Sequence, residues 1–138
     1  MKLTRRHTLM LAMGSAAAAM LPMRASAAVD DAIASFTGGA AVGTEGITLT
    51  APEIAENGNT VPIEVNAPGA EAIMVLAAGN PTPAVATFNF GPLAPSQHAA
   101  TRIRLAGTQD VIAIARMPDG SFVQASQEVK VTIGGCGG

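Results

Sequence analysis

From Ile47 onward the chain alternates apolar and polar residues in short runs, and a period of two places successive side chains on opposite faces of a strand. Ile47-Thr48-Leu49-Thr50 is the first such run. A connecting piece, Ala51-Pro52-Glu53-Ile54-Ala55, and a turn at Asn57-Gly58-Asn59 lead to the second, Thr60-Val61-Pro62-Ile63-Glu64-Val65. Further runs cover residues 70–77, 84–90, 101–105, 111–117 and 122–133, the last with a break expected near Ala125-Ser126. Pro68-Gly69, Gly79-Asn80-Pro81, Gly91-Pro92, Gly107 and Asp119-Gly120 punctuate them. Seven short strands with turn signals at a spacing of about 8–12 residues predict an all-β chain, an antiparallel sandwich of immunoglobulin type. Pro62 lacks a ladder donor and predicts an edge or a bulge in its strand.

Ahead of the strands, Val29, Ile33 and Phe36 recur at helical spacing, which predicts a short amphipathic helix over residues 29–36. Asp30-Asp31 would sit at its amino end, where the dipole favours acids, and Gly38-Gly39 would stop it. With no Trp or Tyr and only four Phe, the core must be built from Val, Ile, Leu and Ala. Val111-Ile112-Ala113-Ile114-Ala115 is apolar at every position, which marks a central strand buried within the domain; cover by a second protein is the alternative.

The first 27 residues read as an address label. Arg5-Arg6 is a twin-arginine pair, residues 9–23 are an apolar run, and Ala25-Ser26-Ala27 is a small-residue cleavage site. The run is short and alanine-rich for a membrane anchor, so cleavage after Ala27 and export to the periplasm are expected. That route carries folded proteins and suggests a co-exported partner. The sandwich domain then covers residues 28–133. Its four basic side chains, Arg102, Arg104, Arg116 and Lys130, face ten Asp and Glu, a net charge of −6 that repels nucleic acid and anionic membranes.

No set of residues equips the chain for catalysis on its own. His98 is the one histidine beyond the leader, expected in a loop with Pro92, Pro95 and Ser96, and is read as a solvated residue rather than a base for a thiol. Blue copper needs a second histidine, zinc is no better served, and Asp30-Asp31 is the only adjacent pair of acids. No glycine-rich loop between strand and helix offers a phosphate site. No cofactor and no metal are expected.

One residue remains. Cys136, the only cysteine, stands between Gly134-Gly135 and Gly137-Gly138 at the end of the chain. Glycine offers no side chain to exclude water, and it loses the most entropy on ordering, so these residues describe an exposed thiol on a flexible arm, residues 134–138. Fully extended, the five residues span roughly 17 Å, enough to enter another protein's cleft. No Arg or Lys lies within five residues of Cys136, and the terminal carboxylate disfavours the thiolate, so activation must come from whatever binds the arm.

The strings Asn57-Gly58-Asn59-Thr60-Val61-Pro62, Val85-Ala86-Thr87-Phe88-Asn89-Phe90-Gly91-Pro92, Thr101-Arg102-Ile103-Arg104-Leu105-Ala106-Gly107 and Gly134-Gly135-Cys136-Gly137-Gly138 together resemble the SoxY family, sulfur carriers of the bacterial thiosulfate-oxidising system. The resemblance implies an immunoglobulin-like fold and a heterodimer with SoxZ, a second small sandwich. It implies that Cys136 carries sulfur intermediates covalently. It also implies three transient partners: the c-type cytochrome SoxAX, which joins thiosulfate to the thiol, the manganese hydrolase SoxB, which releases sulfate, and SoxCD, which oxidises the sulfur left behind. The chain itself would be non-catalytic.

Two other readings compete. A structural or adhesion sandwich would use Cys136 for an intermolecular disulfide. A carrier activated at the terminal Gly137-Gly138, as ubiquitin-like sulfur carriers are, needs ATP at the carboxylate and a long helix across a β-grasp sheet, neither of which suits an exported, strand-rich chain.

Overall fold

The structure is a computed structural model that describes residues 23–134, with side chains from residue 27. The twin-arginine pair and most of the expected leader therefore lie outside the described residues, as do residues 135–138. One helix, α1 (Met23–Thr37), precedes nine strands: β1 (Val42–Gly43), β2 (Thr48–Thr50), β3 (Ile54–Ala55), β4 (Val61–Asn66), β5 (Ala72–Ala77), β6 (Ala84–Asn89), β7 (His98–Ile103), β8 (Gln109–Arg116) and β9 (Phe122–Val131).

The strands form an immunoglobulin-like sandwich. One sheet has the order β1-β9-β8-β5-β6, with β3 also on β9, and the other has the order β2-β4-β7. The seven runs read from the alternation correspond to β2 and β4 to β9. The two additional strands each contribute two residues and pair parallel with opposite ends of β9, Val42 with Phe122 and Ile54 with Lys130. The arrangement is therefore not wholly antiparallel, and the piece read as a connection over residues 51–55 supplies β3. Two residues are too few for an alternation to register. The break expected at Ala125-Ser126 is absent: Ala125 pairs with Ala113 and Ser126 with Ile112 in an unbroken ladder. Here the polar residues of β9 mark a solvated edge of the sheet rather than a turn. Pro62 lies in the middle strand of the small sheet, but β2 reaches only to Glu64, so the proline stands past the end of that partner.

Burial follows the alternation. Val61, Ile63 and Val65 of β4 meet Ile73, Val75, Val111, Ala113 and Val129 between the sheets, and the largest fully buried side chains are all Ile, Leu or Val. The intervening residues of the large sheet, Met74, Leu76 and Ile114, point the other way and meet α1 through Val29, Ile33 and Phe36. The apolar run of β8 is thus buried on both faces within the domain, with β5 on one side and β9 on the other. Phe36 packs edge-to-face on Phe122 at 5.7 Å, and the Arg116 guanidinium lies 5.7 Å from the Phe36 ring centre.

The helix is longer than its apolar spacing indicates because the alanine-rich residues before Val29 are strong helix formers. In the full chain Asp30-Asp31 accordingly lie in mid-helix, exposed, and the first turn holds no acid; the dipole argument does not apply to them. Gly38 and Gly39 do end the helix, at φ 66° and 85°, with the Gly38 N–H donating to the Ala34 carbonyl at 2.8 Å.

At the end of the sandwich where β8 begins, two polar side chains are buried. Asn80 is 7% exposed and Gln109 9%. Asn80 Nδ2 donates to the Arg104 carbonyl at 2.7 Å, and its Oδ1 accepts from Ala106 N at 2.9 Å and Gln109 Nε2 at 3.0 Å. Gln109 Nε2 also donates to the Gly107 carbonyl at 3.0 Å, and its Oε1 accepts from Gly79 N at 2.9 Å. The two amides hold the loop after β7 to the turn after β5, and no buried side-chain polar atom lacks a partner among the described residues.

Three substitutions test this packing. Ile114→Ala, at a fully buried position, is expected to lower unfolding stability by about 3 kcal/mol, whereas Ile54→Ala, 60% exposed, should change it by less than about 0.5 kcal/mol. Asn80→Ala strands the partners of both amide atoms and should cost about 2–3 kcal/mol. Urea midpoints at unchanged slope would register all three; a near-neutral Asn80→Ala would mean that the loop does not depend on the amide.

Candidate functional site

The thiol, Cys136, and its neighbours Gly135, Gly137 and Gly138 lie outside the described residues, but Gly134 and the strand that leads to it are described. The root of the tail is tied down on both sides. Lys130 N donates to the Glu53 carbonyl at 2.9 Å and Thr132 N to the Ala55 carbonyl at 3.0 Å, while the Thr132 hydroxyl donates to the Glu56 carbonyl at 2.9 Å. Val131 N donates to the Thr108 hydroxyl at 3.0 Å.

Beyond these, the Gly58 N–H donates to the Ile133 carbonyl at 2.7 Å and the Gly58 carbonyl accepts from Leu105 N at 2.8 Å, so Gly58 bridges the tail root to the loop after β7. Gly134 then passes so close to the Ala106 carbonyl that a Cβ at this position would collide with backbone. Ala106 is itself held by Asn80 Oδ1. The paired glycines are thus unequal: Gly134 meets a steric demand at a ledge formed by Gly58 and Ala106.

The sequence singled out Gly134 for mobility and did not find the ledge. Asn80 registered only as a turn residue and Gln109 not at all. The available signal was two amides at the ends of apolar strands, but their 29-residue separation hides the contact.

The other candidates fall elsewhere. His98 is the first residue of β7 rather than part of a loop, and its Nε2 lies 3.8 Å from Glu64 Oε2 with both side chains about half exposed. β7 runs from His98 toward the tail root, so roughly 17 Å of strand separates the two. Among the described residues, no three His, Cys, Asp or Glu side chains are grouped as a metal would require. Asp119 accepts from the Ser121 hydroxyl at 2.6 Å and from its N–H at 2.9 Å, which holds its carboxyl below the usual value; it closes the turn between β8 and β9 and is remote from the tail. No described helix is long and apolar enough to cross a membrane.

Comparison with known proteins adds to this geometry. The solved structure of the sulfur carrier protein SoxY from Chlorobium limicola f thiosulfatophilum is similar with a TM-score of 0.68 and 36% identity, over 78% of this chain and 99% of that one. A superoxide reductase (neelaredoxin) from Ignicoccus hospitalis is similar with a TM-score of 0.56 at 18% identity, over 64% of this chain and 81% of that one, a likeness of fold alone. No curated protein matches. The family model described as sulfur oxidation protein SoxY matches residues 33–136, which cover the sandwich and reach the cysteine. The chain belongs to the SoxY family.

Proposed function

We propose that this protein is a non-catalytic carrier that holds sulfur intermediates on the Cys136 thiol during thiosulfate oxidation and presents them to partner enzymes. The observation that carries the reading is the placement of the only cysteine two residues beyond a pinned root, between glycines, at the last position of the family match. A soft thiolate forms and releases S–S bonds readily, and a thin stalk lets several active sites reach one sulfur. Tethering keeps the intermediate at high local concentration for each step.

The Cys136 thiolate and thiosulfate join through a new S–S bond with loss of two electrons, which pass to the c-type haem of SoxAX, leaving Cys–S–SSO₃-type connectivity in which the thiosulfate sulfane sulfur is bonded to Sγ. Water then attacks the terminal sulfonate sulfur at SoxB, the S–S bond to it breaks, and sulfate and two protons depart. The persulfide left on Cys136 is oxidised by SoxCD. SoxZ is the proposed heterodimer partner, and the twin-arginine leader, residues 1–27, delivers the pair to the periplasm. Residues 135–138 form the swinging part, and Gly134 its hinge against the body.

Two measurements test this. Cys136→Ser should abolish thiosulfate-dependent turnover in a reconstituted system while the thermal midpoint and partner binding stay unchanged. Intact mass of the protein from thiosulfate-grown cells should show reductant-sensitive sulfur adducts on the monomer. A disulfide-linked homodimer with no adduct mass would favour the adhesion reading instead. At the root, Gly134→Ala should push the chain off the Ala106 carbonyl, lower stability by about 1–2 kcal/mol and speed amide exchange at Gly58, which donates to Ile133. Unchanged exchange at Gly58 would show that the root is not held there.

A further inference from the structure

Both sheets end in free strands on one flank of the sandwich, β6 in the large sheet and β7 in the small one. Between them lies a groove of about 330 Å³ lined by Asn80, Thr82, Val85, Arg102 and Arg104 among others. Its volume is at the lower end of the range for small-molecule sites. Three further grooves on the described surface each include a carboxylate: Glu71 beside Arg116, Glu64 beside His98, and Glu53 with Glu128 beside Lys130. The groove at β7 counts two arginines and no Asp or Glu among its lining residues.

Arg102 and Arg104 flank the inward-facing Ile103, so both stand on the exposed side of the strand, and neither is within ion-pair distance of an acid among the described residues. Arg102 Nη1 donates to the Thr60 hydroxyl at 3.4 Å. Arg102 and Arg104, two positions apart on one strand and without an acidic partner among the described residues, are out of keeping with a domain of net charge −6, and the planar donor fork of a guanidinium suits a tetrahedral oxyanion.

The groove also adjoins the tail root. Asn80 lines it and accepts from Ala106 N at 2.9 Å, and the Ala106 carbonyl is what Gly134 lies against. Two residues beyond Gly134 reach roughly 7 Å, and the cysteine side chain and an S–S-linked group extend that further. The remaining chain is thus long enough to turn back into the groove.

We infer that this groove is a parking site for the sulfonate end of whatever Cys136 carries: a sulfonate-terminated adduct docks against Arg102 and Arg104, and the same arm without the sulfonate does not. The inference rests on the carrier reading only for the presence of such adducts in the cell. It gives the body a role in the cycle, because an adduct held by two guanidinium groups is shielded from stray thiols until a partner enzyme competes for it.

The test uses the purified full domain and adducts made chemically. Tetrathionate reacts with the Cys136 thiolate, which displaces thiosulfate and leaves Cys–S–S–SO₃⁻; methyl methanethiosulfonate gives the uncharged Cys–S–S–CH₃ by displacing methanesulfinate. The side-chain Nε–Hε resonances of Arg102 and Arg104 should shift with the anionic adduct and not with the methyl one. Cleavage of the anionic adduct by a neutral phosphine should be about fivefold slower in the parent than in the Arg102→Gln/Arg104→Gln variant, with no such difference for the methyl adduct. Unmoved guanidinium resonances on forming the anionic adduct, or equal cleavage rates in parent and variant, would overturn the inference. Because the adducts are loaded in vitro, that result would leave the carrier function standing, whereas absence of adducts in cells would remove the carrier function and leave the groove's anion preference measurable.

Discussion

The central constraint on this fold is that β5 and β8 are apolar on both faces, so the pair they form must be covered twice. Val75, Val111 and Ala113 require the small sheet, and Met74, Leu76 and Ile114 require the helix. Neither cover substitutes for the other, because a sheet face left open would expose a contiguous apolar surface to water. The helix supplies its stripe from Val29, Ile33 and Phe36, and the small sheet supplies Val61, Ile63 and Val65. Once β5 and β8 are fixed in register, β9 is fixed as well, since eight of its residues pair with β8 from Phe122 to Val129. The tail follows β9 directly. Its point of departure is therefore set by the best-buried ladder in the molecule.

The two ends of the sandwich are finished differently. At the end where β8 terminates, Arg116 and Glu71 form a half-exposed ion pair at 3.5 Å, an interaction of small net value in water. At the end where the tail leaves, the ties are buried amide bonds through Asn80 and Gln109, which cost their full desolvation penalty if one partner is removed. The stiffer construction stands at the tail. On the proposed carrier reading, Cys136 is presented reproducibly only if the point where the chain leaves the sandwich does not drift, and the ledge of Gly58 and Ala106 gives that point its definition.

Much of this was legible in the chain itself. The helix stripe and the half-buried strands announce themselves by period, because each buries one face and exposes the other; β5 and β8 announce themselves by unbroken apolar runs, and Gly38-Gly39 marks the helix end by a backbone conformation that other residues rarely adopt. Length limits the rest. β1 and β3 have two residues each, and the parallel pairing they make with β9 is decided by where loops return, not by any local pattern. The start of α1 was misplaced because alanine extends a helix without adding to its apolar stripe. For β9, Ser126 and its polar neighbours looked like a break, though one exposed face is all that a strand at that position requires. The site divides in the same way. Composition alone points to Cys136 and its glycines, whereas the ledge beneath Gly134 joins residues 58, 80, 106, 109 and 134, which only the folded chain brings together.

On the proposed reading, the electrostatics of this protein act on the cargo and not on the nucleophile. A cysteine meant to attack by itself has a cation or a helix amino terminus beside it to favour the thiolate. Cys136 has no basic residue within five positions in the chain, so nothing in its sequence neighbourhood favours the thiolate. Arg102 and Arg104 stand instead on the body, where a neutral thiol gains little from them and a sulfonate gains a pair of charge-assisted hydrogen bonds. The same arm thus meets two different potentials before and after loading. An empty arm is free to enter an enzyme that supplies its own activating charge, and a loaded one has a resting place that competes with solvent, so the affinity of the body for the arm changes with what the arm holds. That difference requires no movement of the sandwich: the rigid ledge and the free flank between β6 and β7 are enough to produce it.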